Sequence, residues 1–135
     1  MKIILLFCCI MLLNINADGK ENEQQAIAWT IAAEAAGEGK IGMKAVACTI
    51  KNRALKYNKT PYEIISEPNQ YYGYTAKNRM KRYNEVREYV DYLANNIMKL
   101  EDITGGAIYF ETYRKEPLKW WGVFTVKIKN HYFYK

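Results

Sequence analysis

Histidine is almost absent from this chain: His131 is the only one. A zinc site built from His–His or His–Cys pairs at the usual spacing is therefore missing. A Ser–His–acid triad would have to use His131, and no G-x-S-x-G nucleophile elbow occurs. The chain also lacks a phosphate-binding loop and the glycine pattern of dinucleotide sites. Cysteine is nearly as scarce. Two of the three, Cys8 and Cys9, lie in the apolar start, which leaves Cys48 alone and without an internal disulfide partner. Repeats, low-complexity tracts and linkers are missing as well. What remains for chemistry is carboxylates, and these point to glycoside cleavage, where Asp and Glu carry the acid–base work.

No apolar run is long enough to span a bilayer. The longest, Ile3 to Leu13, falls well short of the roughly 20 residues a spanning helix needs. It follows Lys2 and is closed by Asn14-Ile15-Asn16-Ala17, the order of a secretory signal peptide cut after Ala17. Residues 1–17 are read as that peptide and residues 18–135 as one catalytic domain, an exported protein with no stable membrane insertion after the cut. Phe7 stands where a lipobox wants a small residue before Cys8, which argues against lipidation. Half of the 135 residues are hydrophobic and a quarter are charged, as in a folded globular chain. The formal charge of +6 suits an anionic partner outside the cytoplasm, either cell-wall polymer or membrane surface. The export signal argues against nucleic acid. The basic residues are scattered among acids, so an ordinary solvated surface stays open as an alternative.

The pattern predicts helices first and strands last. Gln25 to Ala36 is rich in helix formers and stops at Gly37 and Gly39. Met43, Val46, Ala47, Ile50 and Ala54 place a second helix over 41–57, with Cys48 as a small core residue. Thr60-Pro61-Tyr62-Glu63 reads as a capping box with proline at the first helical position, opening a short helix to Ser66. Residues 67–78 read as an aromatic loop over the site. Val86, Val90, Leu93, Ile97 and Leu100 mark a long helix over 82–99. Thr104-Gly105-Gly106 breaks the pattern, Ala107 to Phe110 reads as a strand, and Phe124, Val126 and Ile128 alternate as another. Residues 131–134 extend that strand or pair with it. The expected class is α+β, mostly helical with a small antiparallel sheet near the C-terminus.

Glu34 is the leading candidate for chemistry. It sits in Ile31-Ala32-Ala33-Glu34-Ala35-Ala36, among small apolar neighbours. A carboxyl group in such surroundings meets little water, which favours its protonated form and suits a general acid. Small neighbours also leave room for a polymer. Spacing alone leaves open an ordinary solvent-facing helix glutamate. Glu38, four residues on, is read as stabilising the start of the second helix.

Several blocks then resemble one family. They are Ala33-Glu34-Ala35-Ala36-Gly37-Glu38, Gly42, Ala45-Val46-Ala47 and Asn52-Arg53; then Glu67-Pro68-Asn69-Gln70-Tyr71; then Thr104-Gly105-Gly106-Ala107-Ile108-Tyr109-Phe110, Trp120-Trp121 and Asn130-His131-Tyr132-Phe133-Tyr134. Their order and spacing resemble the SleB-like cell-wall hydrolases, known for cutting spore-cortex peptidoglycan. The resemblance covers about residues 26 to 134, and its specificity lies in the set rather than in any single block.

It implies a lysozyme-like α+β fold with a groove between helices and sheet. Glu34 would be the catalytic acid of a lytic transglycosylase acting on peptidoglycan glycan strands, and no metal or organic cofactor is implied. Gln70, Tyr71 and Tyr109 become candidates for placing the sugar, through amide donors and acceptors and through flat phenol rings. A loop pinned to the core by its aromatics is the plainer use of Tyr71. His131 is read as a structural hydrogen-bonding residue. The chain departs from the family's pattern at Ala36, where arginine is common, and at Glu111-Thr112-Tyr113, where an asparagine is usual. Glu111 is therefore a candidate second carboxylate, or a solvated strand-end residue. A hydrolytic muramidase would need such a partner at about 5 to 9 Å. A wall-binding module without catalysis and a basic membrane-surface protein are the other readings the sequence leaves open.

Overall fold

The computed structural model describes residues 22–75, 79–112, 116–117 and 122–135. The expected signal peptide and Trp120-Trp121 lie outside these residues. In chain order the elements are α1 (Glu23–Ala35), α2 (Gly39–Tyr57), α3 (Pro61–Ser66), α4 (Tyr72–Thr75), α5 (Arg79–Asn95), β1 (Tyr109–Thr112), β2 (Phe124–Ile128) and β3 (His131–Tyr134). Single 3-10 turns stand at Ala36–Glu38 and Ile97–Lys99. The class is α+β, as the pattern of apolar residues implies.

Helix α1 is the central pillar. Asn22 caps it by accepting hydrogen bonds from the Gln24 and Gln25 N–H groups at 3.0 and 3.3 Å, so it starts two residues before the expected Gln25. Ala26, Ile27, Ala28, Ile31, Ala32 and Ala35 are all buried. A helix apolar on nearly every side belongs in the interior, and its alanines let neighbouring backbones come close. Helices α2, α3, α4 and α5 all pack on it. Cys48 is buried in the same core. Thr60 and Glu63 form the expected capping box: Thr60 Oγ1 accepts from the Glu63 N–H at 3.1 Å, and Glu63 Oε2 accepts from the Thr60 N–H at 2.7 Å.

Beyond shifts of two or three residues at the starts of α1, α2 and α5, three elements differ from expectation. The segment read as loop contains the helical turn α4. The long helix ends at Asn95 instead of Lys99, because the Asn96 side-chain amide donates to the Tyr92 carbonyl at 2.8 Å and a 3-10 turn follows. The first strand spans 109–112 instead of 107–110. Asp102 explains this shift. Its carboxylate accepts from the Thr104 N–H (3.0 Å), the Thr104 hydroxyl (2.6 Å), the Gly106 N–H (2.6 Å) and the Asn52 amide (3.3 Å). The Ala107 N–H and carbonyl are taken by Thr104 and Asn52, so this stretch is committed to a turn before pairing begins.

The sheet has the order β1-β3-β2, both pairs antiparallel, with Tyr109 opposite Tyr134, Glu111 opposite Tyr132 and Ile128 opposite His131. Phe133 and Ile128 face α2 and pack with Ala45 and Ala107; Phe110 leans on the same cluster. Asn52 on α2 reaches across to the Ala107 carbonyl at 2.9 Å. Helices and sheet thus share one seam, with β1 at the exposed edge beside α2.

Candidate active site

Glu34 lies one residue before the end of α1 and is half-buried. Its Oε1 accepts the Gly73 N–H at 2.6 Å. Gly73 itself is buried against α1. A Cβ on residue 73 would stand 2.8 Å from the Thr30 carbonyl oxygen, 2.9 Å from Ala33 Cβ and 3.1 Å from Glu34 Cγ. Only glycine lets the α4 backbone reach the carboxylate. Small residues on α1 and glycine on α4 are therefore two halves of one contact.

Tyr71 stands just before α4. Its ring is 6 % exposed, its hydroxyl meets Thr49 Oγ1 at 3.3 Å, and its ring centroid is 6.2 Å from that of Phe110. The flat face expected for a sugar is covered by Phe110 and by Arg53, whose guanidinium carbon is 5.9 Å from the ring centroid. Tyr71 thus pins the loop. Burial pushes its phenol up to about 12, despite the Thr49 hydrogen bond and the nearby Arg53 charge; the charges of Glu34 and Glu67 push the same way as burial. Tyr71 therefore stays protonated and neutral beside Glu34.

Arg53 is the hub that spacing alone did not single out. It is buried, donates to Glu67 Oε2 at 3.2 Å, and also lies 5.8 Å from the Tyr57 ring centroid and 5.4 Å from that of Tyr109. Lys59 holds the other oxygen of Glu67 at 2.6 Å, and these two cations, Lys59 foremost, lower the Glu67 carboxyl. Tyr109 is half-buried and hydrogen-bonded to Tyr57; that bond and partial burial push its phenol up. Gln70 is exposed, with its N–H on the Glu67 carbonyl at 3.3 Å. The structure thus joins Glu34, Tyr71 and Tyr109 through Gly73 and Arg53 and leaves Gln70 on the surface nearby.

Two carboxylates have partners distant in the sequence. Glu111 is not a solvated strand end. It is half-buried inside β1, and its Oε1 accepts the Tyr134 hydroxyl at 2.8 Å across the sheet. Glu38 stands at the start of α2 but makes no side-chain cap there. It instead accepts from the Asn130 N–H (3.1 Å) and the Asn130 amide (3.2 Å), clasping the β2–β3 turn. Burial alone would raise the Glu38 carboxyl; the Asn130 donors and the nearby His131 and Lys129 outweigh it and hold it low.

His131 is buried and lies 5.0 Å from the Phe110 ring, with no hydrogen-bond partner for Nδ1 among the described residues. Its contacts are packing against the Phe110 and Phe133 rings rather than the expected hydrogen bonds. Burial lowers its pKa against the pull of Glu38. The unfolded chain takes up a proton at this position near pH 6.5, and the folded chain resists it, so stability declines as pH drops through about 6.5. Melting temperatures at pH 5, 6 and 7 are expected to fall toward acid, and His131→Phe is expected to flatten that decline. The lowered carboxyls of Glu38 and Asp102 act in a separate window. Their stability is present above about pH 4 and is lost below it.

Among the described residues, no group of three or more His, Cys, Asp and Glu is placed to hold a metal ion. No helix among them is long and apolar enough to cross a membrane.

Residues 37–134 match the family described as Cell Wall Hydrolase. The chain belongs to the cell wall hydrolase family. The family match begins three residues after Glu34. The fold is similar to the catalytic domain of the germination-specific lytic transglycosylase SleB from Bacillus anthracis, with a TM-score of 0.66 and 27% identity, over 87% of this chain and 98% of that one. It is similar also to the catalytic domain of the Bacillus cereus SleB protein, with a TM-score of 0.65 and 27% identity, over 86% of this chain and 91% of that one. No curated protein sequence matches the chain. This cell wall hydrolase thus keeps the SleB domain's fold.

Proposed function

We propose that this cell wall hydrolase is a lytic transglycosylase. It cuts the bond between N-acetylmuramic acid and N-acetylglucosamine in peptidoglycan, outside the cytoplasm, after loss of residues 1–17. Residues 18–135 form the catalytic domain. The observation that carries the reading is the half-buried Glu34 carboxyl, fixed by the Gly73 N–H at 2.6 Å, in a chain 27% identical to a lytic transglycosylase of the same fold.

In the first step Glu34 gives its proton to the bridging oxygen, and the C1–O bond breaks as positive charge develops on the muramyl ring. In the second step the Glu34 carboxylate takes the proton of the 6-hydroxyl of the same sugar, whose oxygen bonds to C1. The products are a 1,6-anhydro-muramyl end and a free N-acetylglucosamine end. Water is not consumed, so one carboxyl group serves both steps. The internal nucleophile needs only to be held in place, which supplies much of the rate. Gln70 and Tyr109 would place the sugars, with Tyr109 held by Arg53 and Tyr57. Glu111, engaged by Tyr134, would line the sheet side.

The test is the product. Mass spectrometry of muropeptides released in 18O-labelled water is expected to show anhydro-muramyl ends without the label. Reducing ends carrying 18O would establish water as the nucleophile and would remove the transglycosylase reading.

A further inference from the structure

A concavity apart from the Glu34–Gly73 contact lies between α2 and α5. Helices α2 and α5, with Ala36 just past α1, flank an open cavity of about 1000 Å³ that Glu34 does not line. A smaller recess of about 400 Å³ continues from it and shares Tyr89 and Tyr92. Together they form a trough along α5, which offers about 13 Å of helix between Asn84 and Leu93.

The two walls differ in charge. Lys40 of α2 lines the cavity and Lys44 of α2 lines the recess, whereas α5 brings Glu85, Glu88 and Asp91, with Arg87, to the cavity. Among the described residues no ion pair joins these walls; the ion pair in this region, Arg87 with Asp91 at 3.9 Å, stays within α5. Two tyrosines form the floor between them. Tyr89 and Tyr92 lie near-parallel with centroids 6.3 Å apart, Tyr92 is 56 % exposed, and Lys40 Nζ sits 5.3 Å from the Tyr89 centroid. Helix α5 is also interrupted at Val86 (φ −131°, ψ 16°), inside the cavity wall. A break of this kind redirects a helix axis, and it lies where the two helices leave space between them.

Such a trough fits a short chain that carries both signs of charge. Cations on one wall recognise carboxylates, acids on the other recognise an amine, and the tyrosines receive the apolar parts between. A four-residue extended peptide spans about 13 Å, which matches the trough. We infer that the α2–α5 trough binds the short zwitterionic peptide arms that substitute the glycan of the wall polymer, while Glu34 acts on the sugar backbone. The inference rests on the proposed wall substrate. It adds a peptide-reading site apart from the reacting bond, so the enzyme senses how its glycan is decorated.

The test uses the full chain, labelled with 15N, and a free four-residue peptide carrying two carboxylates and one primary amine. Saturable amide shifts are expected at residues 39–44 and 84–92. Binding is expected to weaken about tenfold or more in Lys40→Gln/Lys44→Gln, which keeps the apolar stems but not the charges. It is expected to weaken likewise in Glu85→Gln/Glu88→Gln and in high salt. Absence of saturable shifts at millimolar peptide, shifts confined to other residues, or undiminished binding by both double variants would each overturn the inference. So would the same shifts produced by peptide-free glycan while the peptide is silent, since a sugar would then be the occupant. The readout is binding, so a parent protein that binds the peptide but cleaves no glycan would remove the transglycosylase reading and leave the trough standing.

Discussion

Glu34→Gln is expected to abolish peptidoglycan lysis, with turnover falling by about 10² to 10⁴-fold, the range of general acid–base catalysis. Glutamine keeps the size of the side chain and its oxygen can still accept the Gly73 N–H, so the contact between α1 and α4 survives. It has no proton to give to the leaving oxygen and no basic oxygen to take one from the 6-hydroxyl. Thermal unfolding should therefore stay close to that of the parent while muropeptide release stops. Undiminished lysis would remove Glu34 from the mechanism.

Gly73→Ala tests the other half of the same contact, and its effects should divide differently. The added methyl would meet the Thr30 carbonyl oxygen and Ala33 Cβ below 3.0 Å. Neither is the flexible end of a long side chain, so α4 must move away from α1. Overpacking of this kind costs about 1–3 kcal/mol, visible in urea unfolding. The N–H that fixes Glu34 Oε1 moves with it. A displacement near 1 Å in a positioned group can cost about 100-fold in rate, so activity is expected to fall more steeply than stability. Equal falls would mean that Gly73 serves packing alone.

These two residues show what a sequence discloses. Glu34 stands out because its neighbours are small within one helix, and that signal is local. Gly73 lies 39 residues away in a turn-rich, aromatic stretch. Its role depends on how closely two backbones approach, which no local pattern encodes. Arg53 falls in the same class: it gathers Glu67, Tyr71 and Tyr109 from three segments. The helices and the capping box follow from short-range rules, and the structure keeps them. The strand limits follow from Asp102, whose four hydrogen bonds take over the residues just before β1. Tyr71 illustrates ambivalence of residue type. A phenol serves a sugar or a core equally well, and only burial distinguishes the two. Glu38 does stand at the start of α2, but its partner Asn130, 92 positions away, leaves no local signal.

The order of the strands has a consequence for how the protein comes into being. Within the sheet β1 and β2 are not neighbours; each is hydrogen-bonded to β3. A nascent chain released short of residue 131, or clipped there by a protease, would keep Glu34 and its helices but have no sheet to close the molecule. Assembly must wait for contacts between residues far apart in the sequence, which slows folding and leaves strand edges open meanwhile. The sheet side of the site therefore forms only once residues 131–134 are in place, so the last stretch of the chain to be made is the one that joins the other two strands.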